Sequence, residues 1–217
     1  MTVRGRFITL EGGEGAGKST QLRRLADWLR QGGREVVETR EPGGSPGAEE
    51  IRRLLVTGAA GRWDPVSELL LHFAARRDHL RHTIEPALQR GAWVVSDRFA
   101  DSTMAYQGYG HRLGPAAVRA VYDLAVGEFR PDLTLVLDLP VAEGLARARA
   151  RNGGDAQGED RYERMDSAFH ERLREGFHRI VAEEPQRCLL IDAGGDEVAV
   201  AARIRAAVGE RLGVVPA

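Results

Sequence analysis

Eight residues near the N-terminus, Gly12-Gly13-Glu14-Gly15-Ala16-Gly17-Lys18-Ser19, fit the spacing G-x-x-x-x-G-K-S/T. They follow Arg6-Phe7-Ile8-Thr9-Leu10-Glu11, an apolar run of strand length. They open a segment in which Leu22, Leu25, Ala26 and Leu29 recur at helical spacing until Gly32-Gly33 stops it. In that context the loop's amides and the helix N-terminus face an anion. The fold must therefore place a buried strand behind the loop and a helix leaving it. Of the 31 basic residues 30 are arginine, and Lys18 is the only lysine. Solvated surface charge tolerates arginine, but a planar guanidinium does not replace a compact ammonium among backbone amides. A nucleotide phosphate is expected beside Lys18. A ligand-free glycine turn is the bland alternative, and spacing, context and the lone lysine all disfavour it.

The rest of the chain repeats the strand-then-helix pattern. Glu35 to Thr39 reads as a second strand, and the loop Pro42 to Gly47 opens a helix reaching about Thr57. Asp64-Pro65 is a helix start, and that helix is expected to run to about Arg90 with a bend near Pro86. Trp93 to Ser96 is a third strand, with helical patterns following through about Val126. Leu133 to Asp138 is a fourth, followed by a helix over Ala142 to Arg151. A long helix over Glu163 to Glu184, a fifth strand at Cys188 to Ile191 and a last helix to about Leu212 complete the chain. The reading is an α/β fold: a five-stranded parallel sheet flanked by helices in three layers, a P-loop NTPase arrangement in a single domain over 1–217.

The bulk numbers exclude several classes. A formal net charge of -1 offers no basic field for DNA or RNA. The one cysteine, Cys188, lies in an apolar run, so it reads as a buried thiol in a reducing cytoplasm. No apolar run approaches membrane-spanning length, and the stretch after the two early arginines is too short for a secretion signal. The only asparagine, Asn152, precedes glycine, so the guanine-reading N-K-x-D pattern is absent. No strand ends in the Asp-Glu pair of many motor ATPases; the third continues as Asp97-Arg98-Phe99.

A second anion site is also written in the chain. Arg40-Glu41-Pro42-Gly43-Gly44 follows the second strand and Arg98 follows the third. Ligands of open parallel sheets bind at the carboxyl ends of strands, so both arginines converge on Lys18. Phe73 and Arg77 are four apart on one helix and share a face. A ring that stacks on a base and a fork of donors that bonds its edge suit nucleobase recognition. Standing alone, the pair would read as a core phenylalanine and a solvated arginine.

With these residues in view, the chain resembles the thymidylate kinases over nearly its whole length. The resemblance rests on Gly12 to Thr20, Arg40 to Gly44, Phe73-Ala74-Ala75-Arg76-Arg77, Asp97 to Gly108 and Arg130 to Thr134. It implies transfer of the γ-phosphoryl group of ATP to dTMP with Mg²⁺, in a cytoplasmic homodimer. Gly12, Gly13, Glu14, Gly15, Ala16, Gly17, Lys18, Ser19 and Thr20 would bind ATP, with Ser19 and Asp97 near the metal. Phe73 would stack on thymine and Arg77 would bond its O4 edge. Arg98 would hold the acceptor phosphate with Glu14 beside it, and Arg40 and Pro42 would line the same site. Thr103 and Gln107 would meet the base edge, and Tyr106 the deoxyribose. Two bland readings stand beside these: Tyr106 as packing, and Thr103 as a hydroxyl bonding its own helix.

Some members of that family carry an arginine directly after the loop's acidic residue; this chain has Gly15. The resemblance then implies that a lid, approximately 147–163, supplies the missing cation. Arg147 and Arg151 share a helix face while Arg149 points elsewhere. Arg151 and Arg161 bracket the glycine-rich polar stretch and are the expected catalytic cations, with Lys18, Arg98 and Glu14. Two rivals remain: a kinase for another pyrimidine monophosphate, and a nucleotide-binding regulator without activity. Intact Lys18, Ser19, Asp97 and Arg98 speak against the second.

Overall fold

The computed structural model describes residues 4–59, 61–152 and 161–214, with the side chains of residues 151 and 152 outside the description. Five strands, β1 (Phe7–Gly12), β2 (Val36–Arg40), β3 (Trp93–Asp97), β4 (Leu133–Asp138) and β5 (Cys188–Asp192), form one sheet in the order β2-β3-β1-β4-β5. Every neighbouring pair is parallel. Nearly all residues of β1 and β4 are buried, as continuous apolar strands covered on both faces require. The register sets Leu10 opposite both Asp97 and Leu135, so the ends of β1, β3 and β4 open on one edge.

Helices α1 (Lys18–Gln31) and α9 (Glu197–Leu212) cover one face, where Leu22, Leu25, Val200 and Ile204 pack with Leu10 and Leu135. On the other face, α3 (Pro65–His79) and α6 (Pro115–Ala125) join Leu69, Phe73, Val118 and Tyr122 to Phe7 and Val94. Beside them α8 (Ser167–Glu183) packs Phe169, Leu173 and Phe177 against Val136 and Tyr106. Helix α2 (Pro46–Val56) leads into α3, and α7 (Val141–Asn152) follows β4. Cys188 is buried as expected, and burial pushes its thiol pKa up, away from reactivity.

Two expected boundaries move. The helix begun at Asp64, whose carboxylate accepts from the backbone N–H of Val66 and Ser67, does not run unbroken to Arg90. It widens into a π turn at Leu80–Ile84 before α4 (Glu85–Gln89), because Pro86 has no N–H with which to continue the α ladder. The helix expected from Glu163 starts at Ser167, where Asp166 accepts from Phe169 N at 2.6 Å. After the short α5 (Ala100–Thr103), a second π turn at Met104–Gly110 carries Tyr106 and Gln107.

Candidate active site

The loop between β1 and α1 folds as its spacing demands. Lys18 reaches back to donate to the carbonyls of Gly13 at 2.8 Å and Gly12 at 3.2 Å. Gly17 stands at φ 84, ahead of the first turn of α1, and its Cβ position is open space. Gly15, at φ 69, is different: a Cβ there would lie 1.9 Å from the carbonyl oxygen of Gly144 in α7. Close packing of α7 on the loop thus leaves no room for a side chain at this position. Burial lowers the Lys18 ammonium to about 8, reinforced by Arg98 and opposed by Glu14 and Asp97.

Ser19 Oγ donates to Asp97 Oδ2 at 2.6 Å, joining the loop to the end of β3. These hard oxygen donors suit Mg²⁺, which keeps water and phosphate oxygens in its shell. Among the described residues there is no cluster of three metal-ligating side chains, so no all-protein cage competes with that arrangement.

Arg98 is the next element of the site. Its φ of 71 is a strained conformation for a residue with a side chain. The guanidinium donates to Gly12 O at 3.0 Å, Ser102 Oγ at 3.0 Å and Glu14 Oε1 at 3.1 Å. It also lies over the Tyr106 ring at 4.9 Å, and the Tyr106 hydroxyl donates to Glu14 Oε1 at 2.6 Å. Burial alone would raise the Glu14 carboxyl, but Arg98, Lys18 and the Tyr106 hydroxyl hold it at about 2. Beneath them Glu11 accepts from Phe99 N at 2.7 Å and bonds Ser102 Oγ. Burial, with Asp101 nearby, raises the Glu11 carboxyl above the usual carboxylate range. Pattern reasoning missed this residue, because a glutamate ending a strand carries no signal of its depth.

Glu14, Lys18, Ser19, Asp97, Arg98 and Tyr106 face one cavity of about 600 Å³. Its floor holds Glu14, Lys18 and Ser19, and its sides include Arg40, Pro42, Arg98, Thr103, Tyr106 and Gln107. Arg40 reaches Glu49 at 3.2 Å from an exposed position. These sequence-expected residues are brought together.

Phe73 and Arg77 are not. Phe73 is 2 % exposed in the hydrophobic core, edge-on to Tyr122 at 6.0 Å. Arg77 is exposed and donates to Ala125 O at 3.2 Å, at the end of α6. Neither lines the cavity, whereas His72 and Arg76, one residue earlier in each case, do. The pair four apart that lines the cavity lies one position earlier than the expected pair, about 100° round the helix. Arg76 is 2 % exposed and donates to Glu41 Oε2 at 2.7 Å, Thr103 Oγ1 at 2.9 Å and Phe99 O at 3.1 Å. Glu41 also meets His79 Nδ1 at 3.0 Å. The acidic residue of Arg40-Glu41-Pro42 therefore anchors a cavity arginine. Thr103 accepts from Arg76, so its hydroxyl does more than bond its own helix.

Arg161 also departs from expectation. Its guanidinium is buried against the α2–α3 connection, donating to Leu55 O at 3.0 Å, Ala59 O at 3.2 Å and Glu68 Oε2. It does not line the cavity, so it is not placed to serve as a catalytic cation; the buried Glu68 carboxylate and two carbonyls hold it. Its neighbour Tyr162 does line the cavity and bonds His72 Nε2 at 2.9 Å. Arg147 pairs with Glu143 at 2.5 Å and Arg149 is exposed. The expected role of Arg151, and the lid stretch 153–160, lie outside the described residues.

A phosphate loop, a second arginine-centred anion site and one cavity joining them, on a 2-3-1-4-5 parallel sheet, define a P-loop kinase of the nucleoside monophosphate class. The family model described as Thymidylate kinase matches residues 10–204. The chain is 55% identical over 212 residues to a thymidylate kinase of Caulobacter vibrioides, covering 98% of this chain and 100% of the relative. It is 50% identical to that of Bradyrhizobium diazoefficiens, covering 99% and 93%. A solved thymidylate kinase from Ehrlichia chaffeensis superposes with a TM-score of 0.74 at 34% identity, covering 94% of this chain and 99% of that one. The chain belongs to the thymidylate kinase family.

Proposed function

We propose that the chain transfers the γ-phosphoryl group of ATP to the phosphate of dTMP, giving dTDP and ADP. The observation that carries this reading is the single cavity spanning Lys18 at one end and His72, Arg76 and Gln107 at the other, with Arg98 between them. The acceptor is already an anion, so no strong general base is needed. Catalysis is alignment and charge neutralisation along an in-line path.

ATP phosphates sit on the amides of Gly13 to Thr20, and Lys18 exchanges its two carbonyl partners for phosphate oxygens. Arg98, preset by Gly12 O, Ser102 and Glu14, holds the acceptor phosphate. The Glu14–Tyr106 pair faces the deoxyribose, where a bulky ring disfavours a 2′-hydroxyl. The thymine lies by His72, whose imidazole burial lowers to about 4, opposed by Glu68, so that it stays a neutral flat ring at pH 7. Arg76 takes the edge-reading role first expected of Arg77. Ser19 and Asp97 would hold Mg²⁺, which would supply positive charge to neutralise the phosphates when bound. Arg151 remains the proposed lid cation.

The exposed apolar side chains Val66 and Leu70 on α3 and Leu124 on α6 support a homodimer packed through these helices. A cytoplasmic location agrees with the free thiol, and no helix among the described residues is long and apolar enough to cross a membrane. The deciding measurement is turnover with ATP and dTMP, dUMP, CMP or AMP side by side. The reading requires dTMP to be the best acceptor; equal or better turnover of CMP or AMP would overturn it.

A further inference from the structure

Arg98 is held from both sides in the chain. Its own N–H donates to Leu10 O at 2.9 Å, and its carbonyl accepts from Ser96 Oγ at 2.7 Å. The next N–H, of Phe99, donates to Glu11 Oε1 at 2.7 Å. These bonds bracket a residue whose φ of 71 lies in the left-handed region. The turn sends the Phe99 ring into the core, edge-on to Phe7 at 5.0 Å, and leaves Arg98 at the cavity. The second Glu11 oxygen serves the other end of the same arginine. Ser102 Oγ donates to Glu11 Oε2 and accepts from Arg98 Nη1 at 3.0 Å. A guanidinium only donates, so the single Ser102 proton has to point at Glu11, and the order Arg98 to Ser102 to Glu11 is fixed. Glu11 is 0 % exposed and does not line the cavity, so it acts on a bound ligand only through other residues. Burial, with Asp101, favours the neutral carboxyl, while the Ser102 hydroxyl, the Arg98 charge and the Phe99 N–H favour the carboxylate.

We propose that Glu11 is a positioning residue for Arg98: one carboxyl oxygen pins the left-handed backbone, and the other, through Ser102, aims the guanidinium before the acceptor phosphate arrives. The inference rests on Arg98 being the group that meets that phosphate. A long side chain that must be ordered on binding costs affinity, and ordering it beforehand removes that cost. The arrangement needs an acceptor at both oxygens. Glu11→Gln keeps the size of the side chain but replaces one acceptor with an NH2 donor. If the amide oxygen stays on Phe99 N–H, the NH2 donates to Ser102, whose proton then turns toward a guanidinium that cannot accept it. If the amide turns over, its NH2 meets the Phe99 N–H, donor against donor. Either way one of the two holds on Arg98 is lost.

The test compares the affinity for dTMP with that for thymidine, which lacks the phosphate, by calorimetry on the wild type and on Glu11→Gln. In the variant dTMP is expected to bind about tenfold or more weaker, with thymidine held within about twofold of wild type. Ser102→Ala breaks the same link at its middle and is expected to weaken dTMP selectively as well, so it carries the test if Glu11→Gln does not fold. In the variant that folds, with Glu11→Gln deciding where both do, an equal loss for the two ligands or no loss for either means that Glu11 only supports the core, and the proposal fails. A wild type that binds thymidine as tightly as dTMP would instead sink the reading of Arg98 as the phosphate ligand.

Discussion

The two ends of the cavity are built differently. The phosphate end is local: nine consecutive residues supply the loop, and one strand end adds Asp97 and Arg98. The base end is assembled from distant segments: His72 and Arg76 from α3, Thr103 and Gln107 from the segment after β3, Glu41 from the β2 loop and Tyr162 from beyond α7. A contiguous loop states its geometry in its spacing, because backbone amides do the binding. An assembled wall depends on the rotation of a helix about its axis, and one residue of phase exchanges a wall residue for a core or surface one.

Substitutions at the phosphate end should be the most damaging. Lys18→Ala and Arg98→Ala are each expected to lower kcat by about 10³-fold or more, with the fold retained by circular dichroism. Normal turnover of Arg98→Ala at saturating dTMP would remove it from the acceptor site. The next effect addresses the helix phase directly. Arg76→Met is expected to cost about 100-fold in kcat/KM for dTMP, since it removes both an edge donor and the partner of Glu41. Breaking that buried pair should also cost about 3–5 kcal/mol of stability in a denaturant titration. Arg77→Met should change kcat/KM less than about twofold, because its present partner is one carbonyl at the surface. Equal losses at 76 and 77 would erase the contrast between the two ends.

A smaller effect comes from pH. Lys18 titrates at about 8 in the nucleotide-free protein, and a bound triphosphate raises that value. ATP affinity is therefore constant below about pH 8 and falls as pH rises through it, while a proton is taken up on binding. Calorimetry in buffers of different ionisation enthalpy at pH 7 and 9 would show this; equal affinity and no proton uptake at pH 9 would mean that Lys18 is not the group meeting phosphate. The smallest change is expected at Arg149. This side chain is exposed on α7, and Arg149→Ala should leave kcat and KM within about twofold of wild type.

The sequence by itself determined the strands, the helices, the parallel sheet and the donor loop. Buried parallel strands are continuous apolar runs, and phosphate loops are contiguous. Strand-end reasoning put Arg40 and Arg98 on the Lys18 side, the family resemblance added Thr103, Tyr106 and Gln107, and all five line the cavity. Tertiary structure alone decided the order β2-β3-β1-β4-β5, the phase of α3 and the fate of Arg161. Strand order depends on which crossovers pack together. In Phe73-Ala74-Ala75-Arg76-Arg77 the phenylalanine read as a base platform because it is aromatic, yet the core claimed that ring and left the imidazole of His72 at the wall. Two adjacent arginines are indistinguishable in sequence. Buried acceptors, the Glu41 carboxylate 35 positions earlier together with Phe99 O and Thr103 Oγ1, hold Arg76 inward. Likewise Glu68, itself hidden in α3, draws in an arginine that the chain presents as one more surface charge.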